Sequence, residues 1–101
     1  MIARYWRGWT RAEDIDRYVD YVNETGVEGL AGTPGNRGVQ VLTRVEGERA
    51  EIVVLSLWDS LDSVRAFAGE DAERAVFYPE DEAFLVERDF SVTHYQVPVV
   101  R

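Results

Sequence analysis

Apolar and polar residues first alternate at a two-residue spacing along this chain. Residues 2–9, IARYWRGW, mix aromatic and polar side chains as a β-strand does. Thr10-Arg11-Ala12-Glu13 then has the form of a capping box, in which Thr10 and Glu13 would satisfy free amides at a helix start. Ile15, Tyr18, Val19 and Val22 follow at i, i+3, i+4 and i+7, with Asp14, Arg17 and Asp20 on the other side. The spacing predicts an amphipathic helix ending near Gly26. Residues 26–38, GVEGLAGTPGNRG, place glycine at every third position, and a mobile loop is expected there. One proline among so few triplets excludes a collagen helix, and no Gly-Lys-Ser/Thr follows to make a phosphate-binding loop.

The two-residue alternation returns at residues 39–45, Glu46-Gly47 has turn chemistry, and residues 50–58 form the next strand. The pair predicts a hairpin. Its second strand is apolar on both faces, through Ile52-Val53-Val54-Leu55 and Leu57-Trp58. Asp59 or Ser60 caps a helix whose apolar stripe is Leu61, Val64, Phe67 and Ala68. Gly69 is expected to interrupt this helix, residues 71–78 to resume it, and Pro79 to stop it. Residues 92–97 read as a last strand, with Pro98 at its exit. The order is β-α-β-β-α-β, an α+β, ferredoxin-like arrangement, in one domain spanning residues 1–101. Two helices cover only one face of such a sheet. The double-sided strand therefore predicts a second copy of the chain, sheet against sheet, in a homodimer.

Composition narrows the functions. A net charge of −8 argues against nucleic acid or anionic membrane as a partner, since phosphates would repel it. The absence of cysteine excludes disulfides, thiolate metal sites and a cysteine nucleophile. No apolar run approaches the ~20 residues of a membrane span. The first residues lack the apolar core of a signal peptide, so a cytoplasmic protein is expected.

The element order, the TPGNRGV entry to the hairpin, the segment SLWDSLDSVRAFAGEDAERAVFYPEDEAFL and the VTHYQV ending resemble the antibiotic biosynthesis monooxygenase family. That resemblance implies a dimeric α+β barrel. It also implies oxidation of a phenolic aromatic, anthrone- or hydroquinone-like, by dioxygen without flavin, haem or metal. The ionised phenol would supply the electrons, and a peroxide intermediate would lose water. Such chemistry needs an apolar pocket, a proton acceptor and donors that hold an anion. A non-catalytic dimer that binds a small ligand is the alternative. A third reading, haem degradation, uses in relatives a tryptophan at the strand–helix junction and a histidine on the next helix. Residues 61–78 of this chain contain no histidine.

Trp58 sits at that junction, and the resemblance implies a pocket wall that stacks on a flat substrate. It equally suits a core residue. His94, the only histidine, is the candidate base, or else a structural residue. On the first strand Arg4 and Trp6 share one parity, while Tyr5, Arg7 and Trp9 share the other. Arg7 or Arg4 would stabilise a bound anion if its parity faced a cavity, and Trp6 would pack beside the ligand. Tyr78, beside Pro79, is a candidate for the pocket mouth. The carboxylates Glu70, Asp71, Glu73, Glu80, Asp81 and Glu82 read as a solvated acidic face, with no metal site expected.

Overall fold

The computed structural model describes residues 1–101. Strand β1 (Ile2–Arg11) leads into helix α1 (Ile15–Val22), which continues through a wide, π-type turn (Asn23–Val27) into α2 (Glu28–Ala31). A hairpin of β2 (Asn36–Glu46) and β3 (Arg49–Trp58) follows. Then come α3 (Leu61–Ala68), the short α4 (Asp81–Phe84), β4 (Leu85–Arg88) and β5 (Thr93–Gln96). The antiparallel sheet runs β2-β3-β1, and the free edge of β1 is shared. β5 pairs with its start, Ile2–Tyr5, and β4 with Gly8, Trp9 and Thr10. This is the ferredoxin-like α+β arrangement, with its last strand divided in two.

Side-chain parity decides which face is covered. Ile2, Arg4, Trp6 and Thr10 of β1 are buried beneath the helices, as are Ala50, Ile52, Val54, Ser56 and Trp58 of β3. Tyr18, Val22 and Leu30 close over them from one side, and Val64 and Ala68 from the other. Each fully buried side chain of valine, leucine or isoleucine size contributes about 1.5–3 kcal/mol, so this layer supplies the main stabilisation. The opposite face is left open. Val53, Leu55 and Leu57 are only half-buried there, while Leu42 and Tyr95 are 47% and 55% exposed.

Four local expectations need correction. No capping box forms: Thr10 belongs to β1, and its hydroxyl donates to the Arg11 carbonyl at 2.9 Å. The glycine-rich stretch is not a loop from Gly26, because the helix persists to Ala31. Leu30, 2% exposed, anchors it, and the Thr25 and Thr33 hydroxyls donate back to the Tyr21 and Gly29 carbonyls. Only residues 32–35 turn. There Gly35 has φ +91°, and a Cβ would stand 2.2 Å from the Ser63 hydroxyl oxygen, so no other residue fits. Residues 71–78 do not resume the helix either. They run beside the chain that enters β5, with Val92 N–H donating to Glu73 O at 2.7 Å and Ala75 N–H to Phe90 O at 3.0 Å. Finally β4 is an additional strand, formed where Leu85 and Arg88 pair against β1. The Ser60 cap holds as expected, its hydroxyl accepting from Ser63 N–H.

Candidate functional site

Between the sheet and the helices lies a small pocket, with a cavity volume of about 50 Å³. Its lining is mostly apolar. Val54 and Trp6 come from the sheet, Val22, Gly26 and Leu30 from the helical rod, Phe67 from α3, and Val76, Phe77 and Tyr78 from the extended segment. Two charged side chains, Arg4 and Asp81, also reach the wall. Gly29 explains how the aromatic side fits. A Cβ there would come within 2.9 Å of the Tyr78 hydroxyl and 3.0 Å of Phe67, so glycine lets both rings approach the helix.

Arg4 is only 4% exposed. One Nη donates to the Arg74 carbonyl at 3.1 Å, and the guanidinium carbon lies 5.4 Å from the centre of the Phe67 ring. Its Nε is buried without an acceptor. No carboxylate pairs with it. Burial pulls its pKa down to about 10, partly offset by Tyr78, so the group stays charged at neutral pH.

Asp81 is 5% exposed and held by two donors. The Tyr18 hydroxyl donates to one oxygen at 2.9 Å, and the Tyr78 backbone N–H to the other at 2.7 Å. Burial raises the Tyr18 pKa, and the neighbouring Asp81 charge adds to it, so this hydroxyl remains a donor. Tyr78 is raised in the same direction, by burial first and Asp81 second. Asp81 therefore does not belong to a solvated acidic face. The signal for it lay in Tyr78-Pro79-Glu80-Asp81: proline opens a helical turn, and an acid two places on reaches back to the preceding free N–H.

The structure brings Arg4, Trp6 and Tyr78 together and separates the other candidates. Trp6 lines the pocket, its indole N–H donating to the Asp89 carbonyl at 2.7 Å and its ring edge-to-face with Phe77. Trp58 does not reach the wall. It is fully buried, and its N–H donates to the Ser56 hydroxyl at 2.8 Å. Arg7 points to the open face of the sheet, exposed and paired with Asp89 at 3.0 Å. It cannot stabilise an anion in the pocket. No group of three or more acidic or histidine side chains is placed to hold a metal ion.

His94 lies directly across the ladder from Arg4, on the covered side of the sheet but outside the pocket wall. Its Nε2 is buried without a partner. Burial and then the Arg4 charge push its pKa below the ordinary value near 6.5, against a smaller opposing pull from Glu73. The unfolded chain thus binds this proton more readily. Stability linked to His94 is fully present above about pH 6.5 and lost as pH falls through the lower folded value. Urea midpoints measured at pH 7.5 and 5.5 should show that loss, and His94→Gln should flatten it. Parallel pH curves for the two proteins would remove His94 as the cause.

No protein-family model matches the chain, and no curated protein matches it significantly. Among solved structures it superposes on a Bacillus cereus protein described as a candidate antibiotic biosynthesis monooxygenase. The TM-score is 0.71 at 15% identity, over 100% of this chain and 94% of that one. The chain has the antibiotic biosynthesis monooxygenase fold. Two structures of MhuD agree with that assignment. A single-residue variant carrying two manganese protoporphyrin IX molecules per active site gives a TM-score of 0.60 at 18% identity, covering 100% of this chain and 98% of that one. The heme-degrader MhuD from Mycobacterium tuberculosis, with two hemes in its active site, gives 0.59 at 18%, covering 100% and 99%.

MhuD holds hemes in its active site, but the pocket residues of this chain do not fit haem. No histidine, cysteine or methionine lines it, and these are common protein ligands of haem iron. Its tyrosines offer no substitute. Tyr18 is committed to Asp81, and burial keeps Tyr78 in its neutral form. No helix is long and apolar enough to cross a membrane.

Proposed function

We propose that this chain is a monooxygenase of small phenolic aromatics, acting on an anthrone- or hydroquinone-like substrate with dioxygen and no resident cofactor. The observation that carries this reading is Arg4, a buried cation without a carboxylate on the wall of an aromatic pocket. A buried charge costs several kcal/mol unless compensated, so the site favours an aromatic that is, or becomes, an anion. Trp6, Phe67, Phe77 and Tyr78 offer rings for stacking. Asp81 lies in the wall, and its carboxylate takes the phenolic proton. His94, neutral and behind Arg4, is the second candidate acceptor. The electron-rich anion then reduces dioxygen and forms a carbon–oxygen bond. For an anthrone, the methylene carbon gains one oxygen as a carbonyl, and its two hydrogens leave with the other oxygen as water.

The open sheet face around Leu42, Leu55 and Tyr95 supports a homodimer, with a second copy covering it. Light scattering at micromolar concentration should give twice the chain mass, and a monomer would refute this. Oxygen uptake tests the activity, using metal-free, flavin-free protein and a panel of anthrones and hydroquinones. Enzyme-dependent uptake with matching quinone formation is expected. A panel that binds in the pocket without uptake would favour the second reading, a dimer that binds its ligand without chemistry. That reading draws support from Trp58 and His94 both lying off the pocket wall.

A further inference from the structure

Eight of the eleven arginines of this chain are paired; the other three are the exposed Arg74 and Arg101 and the buried Arg4. Arg7, Arg11, Arg17, Arg37, Arg44, Arg49, Arg65 and Arg88 each hold a carboxylate, although most of them are well exposed. Arg4, far more buried than any of these, holds none. Asp81, the one carboxylate on the same pocket wall, is already engaged by Tyr18 and the Tyr78 amide. A charge buried and left unpaired is the costly arrangement, and one that proteins tolerate where a ligand completes it.

We infer that the ligand of this pocket is an aromatic carboxylate, whose two oxygens meet the Arg4 guanidinium while its ring lies among Trp6, Phe67 and Phe77. The donors favour a carboxylate over a phenolate. Within the protein, the two Nη groups of Arg4 make one hydrogen bond, from one of them to the Arg74 carbonyl at 3.1 Å. A guanidinium presents its N–H groups as a planar fork that matches two oxygens side by side, whereas a phenolate offers one. The inference deepens the proposed function and rests on it, because it names the substrate class as a hydroxyaryl carboxylic acid. Arg4 then positions the acid, and the phenolic proton is left to Asp81.

Calorimetric titration of the wild-type protein with 2-naphthoate, 2-naphthamide and 2-naphthol is the test. These share a ring system and differ in the group offered to Arg4. The naphthoate should bind roughly tenfold or more tightly than either neutral analogue, as a charge-assisted pair predicts. Arg4→Met, which keeps length without charge, should erase that preference. Arg4→Lys should retain part of it, as a point charge without the fork. If Arg4→Met fails to fold, the wild-type ratios alone decide.

Equal binding of acid and amide, naphthol binding as tightly as naphthoate, or no binding of any of the three overturns the inference. So does a folded Arg4→Met that still prefers the acid. These outcomes separate from those of the oxygen assay. Uptake with plain phenols but no preference for the acid leaves the oxidation standing and removes the carboxylate site. Acid-selective binding with no uptake on any hydroxyaryl acid does the reverse.

Discussion

Trp58→Ala is expected to lower the unfolding free energy by about 3–5 kcal/mol, the usual cost of deleting a large buried aromatic. For a domain near 100 residues this corresponds to a fall of roughly 15–30 °C in melting temperature. The loss follows from full burial of the indole and from the cavity it would leave beside Ile2 and Val64 in the core. It also strands the Ser56 hydroxyl, itself 1% exposed, without its indole donor. Affinity of the folded fraction for a pocket ligand should stay within about twofold, because the wall is built by other residues. Trp58→Phe is the gentler control. If either variant keeps its melting temperature but loses the ligand, the side chain contributes to the wall after all.

Asp81→Asn should behave in the opposite way, with a small effect on the fold and a large one on turnover. The Tyr78 amide can only donate, so the asparagine carbonyl must face it. The NH2 group then points at the Tyr18 oxygen, and that hydroxyl can rotate to accept. Both positions remain satisfied while the negative charge is gone. Stability should change by no more than about 1–2 kcal/mol. Removing a proton acceptor from the reaction should slow oxygen uptake by about 100-fold or more. Uptake at the wild-type rate by a folded Asp81→Asn would eliminate Asp81 as the acceptor. His94→Ala in the same assay then decides whether the histidine takes that role.

The sheet was readable from the chain because strand parity is a local property. Ile52, Val54 and Trp58 had to share a face, and so did Arg4 and Trp6, whichever way the strands turned. The hairpin around Gly47 and the Ser60 cap rest on equally local chemistry. Which parity faced the helices was not local. Arg4 and Arg7 looked equivalent along β1, and only the cover supplied by α1 and α3 makes one a pocket residue and the other a surface ion pair. Residues 71–78 misled for a related reason. Ala72 and Ala75 have helical spacing, but the Glu73 carbonyl and the Ala75 N–H find partners at Val92 and Phe90, outside any local helix. Asp81 was hidden in the same manner. A carboxylate in an acidic run looks solvated until Tyr18, 63 residues earlier, is folded against it.

The wide turn at Asn23–Val27 bears on how this fold tolerates changes in chain length. An α-helix that takes in one surplus residue can absorb it as a single π-type turn, leaving the segments before and after in their original phase. Tyr18 and Val22 ahead of the turn and Leu30 behind it accordingly all face the core. The surplus is spent locally, where Thr25 and Gly26 bulge toward the ligand space. Deleting one residue there would straighten the rod without re-registering either end. The contour of the cavity can therefore be re-cut by a one-residue gap while the scaffold around it stays put.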